Sequence, residues 1–143
     1  MCKMKSVLLL FSSLYILVYV TGMTEKQMWA AVKLARNTCQ NKHKTPPAEI
    51  DKMHQGDWNV DHSAMCYMHC ALNMYKLMYP NNTFNLEASL KQTPQLPDSF
   101  RKSAETCIFN CKDEAKTLDD KCVAAYELTK CMYFCNPEKY FLP

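Results

Sequence analysis

Cys66-Tyr67-Met68-His69-Cys70 is the densest run of reactive side chains in the sequence, with thiols and an imidazole at a spacing suited to zinc. Thiols ligate metals, attack electrophiles or pair as disulfides, and the redox compartment decides among the three. Cys2 lies in a leader segment, which leaves Cys39, Cys66, Cys70, Cys107, Cys111, Cys122, Cys131 and Cys135. Eight cysteines in a short exported chain read as four disulfides. Bridged sulfurs serve neither as zinc ligands nor as nucleophiles, so the expectation is no metal, no cofactor and no catalytic residue. No Gly-x-Ser-x-Gly elbow, P-loop or His-Glu-x-x-His helix occurs either. A secreted phospholipase, also small, helical and bridged, needs a Cys-Cys-x-x-His-Asp helix and a Gly-rich calcium loop. Here His69 is followed by Cys70, and Gly22 and Gly56 are the only glycines.

The leader begins with the basic Cys2-Lys3-Met4-Lys5 and continues as an apolar run from Val7 to Val20. Cleavage after Gly22 makes residues 1–22 a signal peptide and 23–143 the mature domain. As a retained anchor the run is too short, since a span needs roughly 20 apolar residues. The mature part has room for one domain with one modest core. It carries 15 basic and 14 acidic residues. That near balance gives no electrostatic case for nucleic acid or an anionic membrane.

Only Gly56 is left as an internal glycine, and no stretch alternates apolar with polar residues, so the fold class is all-α. Thr24-Glu25-Lys26-Gln27 has the form of a capping box, and Met28, Val32, Ala35 and Cys39 follow at helical spacing, placing a first helix over about 25–39. Pro46-Pro47 opens a second that stops at Gly56, and Asp61 caps a third ending before Pro80. Pro80-Asn81-Asn82-Thr83 makes a turn with a glycosylation acceptor at Asn81. Further helices are expected over 86–92, 97–112 and about 120–136, ended by Pro137.

Cys39, Cys66, Cys70, Cys111, Cys122 and Cys131 are separated by 26, 3, 40, 10 and 8 residues. In that series the chain resembles the insect odorant-binding proteins, from before Cys39 to beyond Cys131. The resemblance implies a compact six-helix domain, stapled by disulfides around an internal apolar cavity. It also implies the pairs Cys39 to Cys70, Cys66 to Cys122 and Cys111 to Cys131, which the sequence alone does not choose, because eight cysteines permit 105 connectivities. Cys107 and Cys135 depart from the six-cysteine pattern. Each lies one turn from a family cysteine on its own helix. If the fifth and sixth helices run antiparallel across their short connection, Cys107 pairs with Cys135 beside Cys111 and Cys131.

The remaining resources are apolar, aromatic and soft. On the third helix Met65, Met68, Leu72 and Tyr75 form a stripe beside the face bearing Cys66 and Cys70. Met53 joins it from the second helix, Phe100, Ala104 and Ile108 from the fifth, and Val123, Tyr126 and Phe134 from the sixth. Each of these is also an ordinary core residue. A buried Tyr126 hydroxyl needs a partner, either a ligand oxygen or a backbone carbonyl. Beyond Pro137, Tyr140, Phe141 and Leu142 are expected to fold back over the pocket as a lid, and protonation of His54, His62 and His69 on acidification near a membrane is expected to loosen it.

The expectation is a secreted, extracellular carrier that solubilises a small hydrophobic ligand such as an odorant, pheromone or lipid-like molecule. In the family such carriers meet a chemoreceptor or membrane surface at release, and this chain is expected as a monomer or weak homodimer. The rival reading is a secreted helical effector or defence protein with a solid core that acts through its surface.

Overall fold

The computed structural model describes residues 22–143, so the expected leader lies outside the described residues apart from Gly22. These residues form six α-helices: α1 Glu25–His43, α2 Pro47–His54, α3 His62–Met74, α4 Leu86–Gln92, α5 Asp98–Cys111 and α6 Lys121–Cys135. Short 3₁₀ turns follow α4 at Thr93–Gln95 and α6 at Pro137–Lys139.

Local chemistry sets most of the boundaries. The Thr24 hydroxyl accepts the Gln27 N–H at 3.2 Å while the Thr24 N–H donates to Gln27 Oε1 at 2.8 Å, which closes the capping box of α1. That helix runs one turn past the expected end and stops where Lys44 turns left-handed at φ 51°. Gly56 takes φ +86° behind α2, a conformation that disfavours any side chain, and an added Cβ would also meet the Tyr133 hydroxyl at 3.2 Å. The Asp61 carboxylate caps α3 by accepting the Ala64 N–H at 2.9 Å.

The end of α3 differs from expectation, because the helix stops at Met74 rather than near Pro80. Lys76 turns left-handed at φ 56°, and the Leu77 N–H returns to the Leu72 carbonyl at 3.0 Å. The chain then doubles back so that Met78 and Phe84 pair in one antiparallel bridge. Both side chains become buried, and that apolar burial outweighs the cost of one left-handed lysine. Asn81 stays exposed at the tip of this excursion, its Oδ1 accepting the Thr83 hydroxyl at 2.6 Å.

The four disulfides join Cys39 to Cys70, Cys66 to Cys122, Cys107 to Cys135 and Cys111 to Cys131, with Cα separations of 5.6, 4.3, 5.7 and 5.8 Å. The last two are nested as antiparallel α5 and α6 require. The intervening loop is pinned by the Glu127 carboxylate, which accepts the N–H groups of Lys116 and Thr117 at 2.7 and 2.9 Å and the Thr117 hydroxyl at 2.6 Å. Burial works against ionisation there, but these hydrogen bonds hold the Glu127 carboxyl below its ordinary range.

α3 packs most extensively against α6 and next against α1. Two apolar clusters meet along it. One is aromatic and centres on Ile50, Met53, Trp58, Tyr67 and Met68, and the other gathers Leu72, Met78, Phe84, Ile108 and Leu128.

Removing the Cys107 to Cys135 bridge tests the double staple. The inner bridge already closes most of the loop, so Cys107→Ser with Cys135→Ser loses about 2–3 kcal/mol rather than the full closure term. The expected result is a folded protein with its melting temperature lowered by about 10 °C. Peptide mapping of the unreduced wild-type chain checks the four pairs directly.

Candidate functional site

The second cluster does not close on itself. A cavity of about 160 Å³ opens between α1, α3, α4, α5, α6 and the C-terminal tail. Its size is close to that of an apolar protein cavity of about 150 Å³ known to stay dry and bind benzene. Met28 and Val32 reach it from α1, Leu72 and Tyr75 from α3, and Ala104 and Ile108 from α5. Leu128 and Met132 complete the wall from α6, with Phe84 from the doubled-back loop. Polar side chains touch it mainly around α4 and its 3₁₀ extension, where Ser89, Gln92 and Thr93 face inward.

Leu72, Tyr75, Ala104, Ile108, Phe141 and Leu142 of the sequence-derived set line this cavity. The Tyr75 hydroxyl spans to the Ala31 carbonyl at 3.4 Å, and burial raises its pKa.

The other members of that set lie elsewhere. Met65 and Met68 share the angular position of Leu72 on α3 but precede it by about 6–10 Å along the axis. The cavity reaches only the C-terminal end of the stripe, and Met68 is fully buried in the aromatic cluster. Met53 is buried in the same cluster.

Cys122 and Cys131, about half a turn apart, divide α6 into two arcs. The cavity takes the arc of Leu128 and Met132, whereas Val123, Tyr126 and Phe134 lie roughly 120–160° away from Leu128. Tyr126 packs on Trp58 and donates its hydroxyl to the Trp58 carbonyl at 2.7 Å, so the backbone is its partner. Val123 sits in the first turn of α6, partly buried, and Phe134 is 57% exposed beside the Tyr133 ring. Phe100 stands one layer behind the wall. Its ring meets Trp29 and Phe141 edge to face at 6.1 and 5.9 Å and carries the Lys139 ammonium 4.7 Å from its centroid.

Phe100 therefore holds the tail rather than the cavity. The tail packs against the helices with Tyr140, Phe141 and Leu142 in the cavity wall and Pro143 fully buried. His54 packs edge to face on Tyr140 at 5.6 Å. Desolvation is the largest influence on His54 and lowers its pKa, assisted by Arg36 and opposed by Asp51 and a hydrogen bond to the Pro143 backbone. His43 and His69 are lowered as well, again chiefly by burial.

Sequence reasoning missed the contributions of α1 and α4. The signal was present in α4, where Ser89 and Thr93 fall at i+3 and i+7 from Leu86, on the face that Leu90 shares. Hydroxyls at inward positions of a short helix mark a wall with polar points. The Cys/His cluster resolves differently from the zinc spacing as well. Among the described residues the group with metal-like proximity is His62, Cys66 and Cys122, and its two sulfurs are bonded to each other, leaving no thiolate to ligate an ion.

Comparison with known proteins places this architecture. The PBP/GOBP family profile matches residues 21–134. General odorant-binding protein 19a of Drosophila melanogaster is 35% identical over 115 residues, covering 78% of each chain. General odorant-binding protein 72 of Anopheles gambiae is 30% identical over 121 residues, covering 84% of this chain and 99% of its own. Among solved structures, odorant binding protein 4 of Chrysopa pallens superposes with a TM-score of 0.80 at 38% identity, over 85% of this chain and 99% of that one.

Tyr126→Phe separates the structural role of that residue from ligand contact. Losing the hydrogen bond to Trp58 leaves a carbonyl unsatisfied and lowers stability by about 1–2 kcal/mol. Affinity for an apolar probe stays unchanged; denaturant melts and probe titration of the variant measure the two effects.

Proposed function

The chain belongs to the PBP/GOBP family, and from that premise we propose that it is a secreted carrier which takes up a small hydrophobic molecule in its internal cavity, solubilises it and releases it at a receptor or membrane surface. Binding of small hydrophobic ligands is what the family and its odorant-binding relatives support. The observation that carries the reading for this chain is the apolar cavity of about 160 Å³ behind a folded-back tail. The rival surface-acting effector called for a solid core, which the second cluster lacks.

The chemistry is non-covalent. Transfer of ligand surface from water into the cavity contributes about 25 cal/mol per Å² of apolar area, so a ligand burying about 300 Å² gains roughly 7 kcal/mol before the cost of immobilisation. Methionines at positions 23, 28 and 132 in the wall suit a site that receives ligands of differing outline. Export through a leader over residues 1–22, four disulfides suited to an oxidising compartment and an N-glycan on exposed Asn81 belong to the same reading.

Fluorescent-probe displacement tests the carrier directly. Leu72→Trp places an indole in the middle of the cavity, and its expected effect is a loss of probe affinity of about tenfold or more with helicity retained. Unchanged binding would reject this cavity as the site.

The tail as lid gives a separate prediction. Truncation after Pro137 removes Glu138 to Pro143, with Tyr140, Phe141 and Leu142 among them, and should speed ligand dissociation by about tenfold; an unchanged off-rate rejects the lid. For pH the sign is fixed by His54, His43 and His69. Their folded pKa values are depressed, so between those values and the ordinary histidine range near 6.5 the unfolded chain binds more protons than the folded one. Stability therefore rises with pH through that window, is lost as pH falls through it, and is affected no further by these groups below it. His54, facing the Tyr140 ring, transmits this loss to the tail, so affinity is expected to fall between pH 7 and pH 5. Titration at both pH values decides, and a flat affinity removes the switch.

A further inference from the structure

Two residues that line the cavity, Ser89 and Tyr140, carry buried hydroxyls with no hydrogen-bond partner among the described residues. The Tyr140 ring is packed into the aromatic cluster against Trp58 and Tyr133, whereas Ser89, 5% exposed, stands in the cavity wall outside that cluster. The polar neighbours of Ser89 are engaged. The Thr93 hydroxyl donates to the Ser89 carbonyl at 3.0 Å, Gln92 Nε2 donates to the Tyr75 carbonyl at 2.8 Å, and Ser103 Oγ accepts from Asn136 Nδ2 at 2.8 Å. One turn back in α4, the Asn85 carbonyl receives the Ser89 backbone N–H at 3.1 Å, while the Ser89 hydroxyl does not bond to it. An unpaired buried hydroxyl is a net cost to the unliganded fold, one that alanine would avoid with better helix propensity.

Resting on the carrier reading above, we infer that Ser89 is the polar anchor of the cavity, and that the preferred ligand is an uncharged chain or ring with one oxygen able to accept a hydrogen bond from its hydroxyl: an aldehyde, ketone, ester or alcohol. The rest of the ligand meets Leu72, Phe84, Ile108, Leu128 and Met132, which offer no hydrogen bonds, so a second polar group beside them would be buried unpaired. A carboxylate fits less well. No cation stands beside Ser89 in α4, where Lys91 is exposed, and a buried charge needs one. Lys139 does touch the cavity, but it belongs to the tail and lies over the Phe100 ring. A carboxylate would thus seat at the tail, away from the anchor.

The test uses the mature full chain and a matched set of six-carbon competitors, sized to the cavity, against a fluorescent apolar probe: an alkene, an alcohol, an aldehyde and a carboxylate. The wild-type protein is expected to favour the alcohol and aldehyde over the alkene by about tenfold, the scale of one buried hydrogen bond. Ser89→Ala should reduce that preference to about twofold while leaving the probe and the alkene unchanged. The same variant, without ligand, should melt at the wild-type temperature or slightly above it, which separates lost anchoring from lost folding. Equal binding of alkene and alcohol by the wild type, or a preference that survives Ser89→Ala, overturns the anchor. A carboxylate that binds tightest and loses its advantage in Lys139→Met overturns it in favour of the tail. Failure of the probe and every competitor to bind rejects the carrier reading itself, and the anchor with it.

Discussion

Four covalent bridges hold open a space that side chains would otherwise fill. Protein interiors reach the packing density of organic crystals, and a void forfeits the dispersion contacts of every atom that lines it. A domain of this size has little surplus with which to offset that loss. The bridges act on the other side of the balance by restricting the unfolded chain. Their placement follows the hollow. Cys107 to Cys135 and Cys111 to Cys131 bind α5 to α6, two of the helices that wall the cavity, and Cys107 itself touches it. Cys66 to Cys122 ties the start of α3 to the start of α6, and Cys39 to Cys70 ties α3 to α1.

α3 connects the bridges to the ligand wall. Its N-terminal half carries Tyr67 and Met68 into a closed aromatic cluster with Trp58, and its C-terminal half carries Leu72 and Tyr75 to the cavity. The rings of Trp58, Tyr126, Tyr133 and Tyr140 lie within 5.2 to 6.3 Å of one another in the contacts they make. Tyr140 belongs to both regions, packed on this cluster and lining the cavity. The tail is consequently seated on aromatic neighbours on one flank and on Phe100 through Phe141 on the other.

Much of this was legible in residue types. The Thr24 capping box, the Asp61 cap and the span of α4 follow from local chemistry that tertiary contacts do not override. The nested cysteines of α5 and α6 encode a helix pair because 3.6-residue periodicity sets which pairs can meet. The site was only partly legible, and the reason is geometric. Periodicity gives the angle of a side chain about its helix, but not which length of the helix faces the void, so Met65 and Met68 looked equivalent to Leu72. Nor does it choose between the two arcs that Cys122 and Cys131 leave on α6, since Tyr126 and Leu128 are both apolar enough for a wall. The early stop of α3 was hidden for a similar reason. Burial of Met78 and Phe84 against distant partners overrode the local helical pattern.

The separation of a filled cluster from a hollow one has a consequence for how such a chain can diverge. None of Ile50, Met53, Trp58, Tyr67 or Met68 touches the cavity, whereas Leu72, Phe84, Ile108 and Leu128 all do. Substitutions at the latter four reshape the space offered to a ligand while the aromatic block and the cystine framework continue to specify the fold. Selection can therefore act on chemical preference and on foldability through largely separate sets of positions, which lets one scaffold drift across ligand space by single steps without passing through unfolded intermediates.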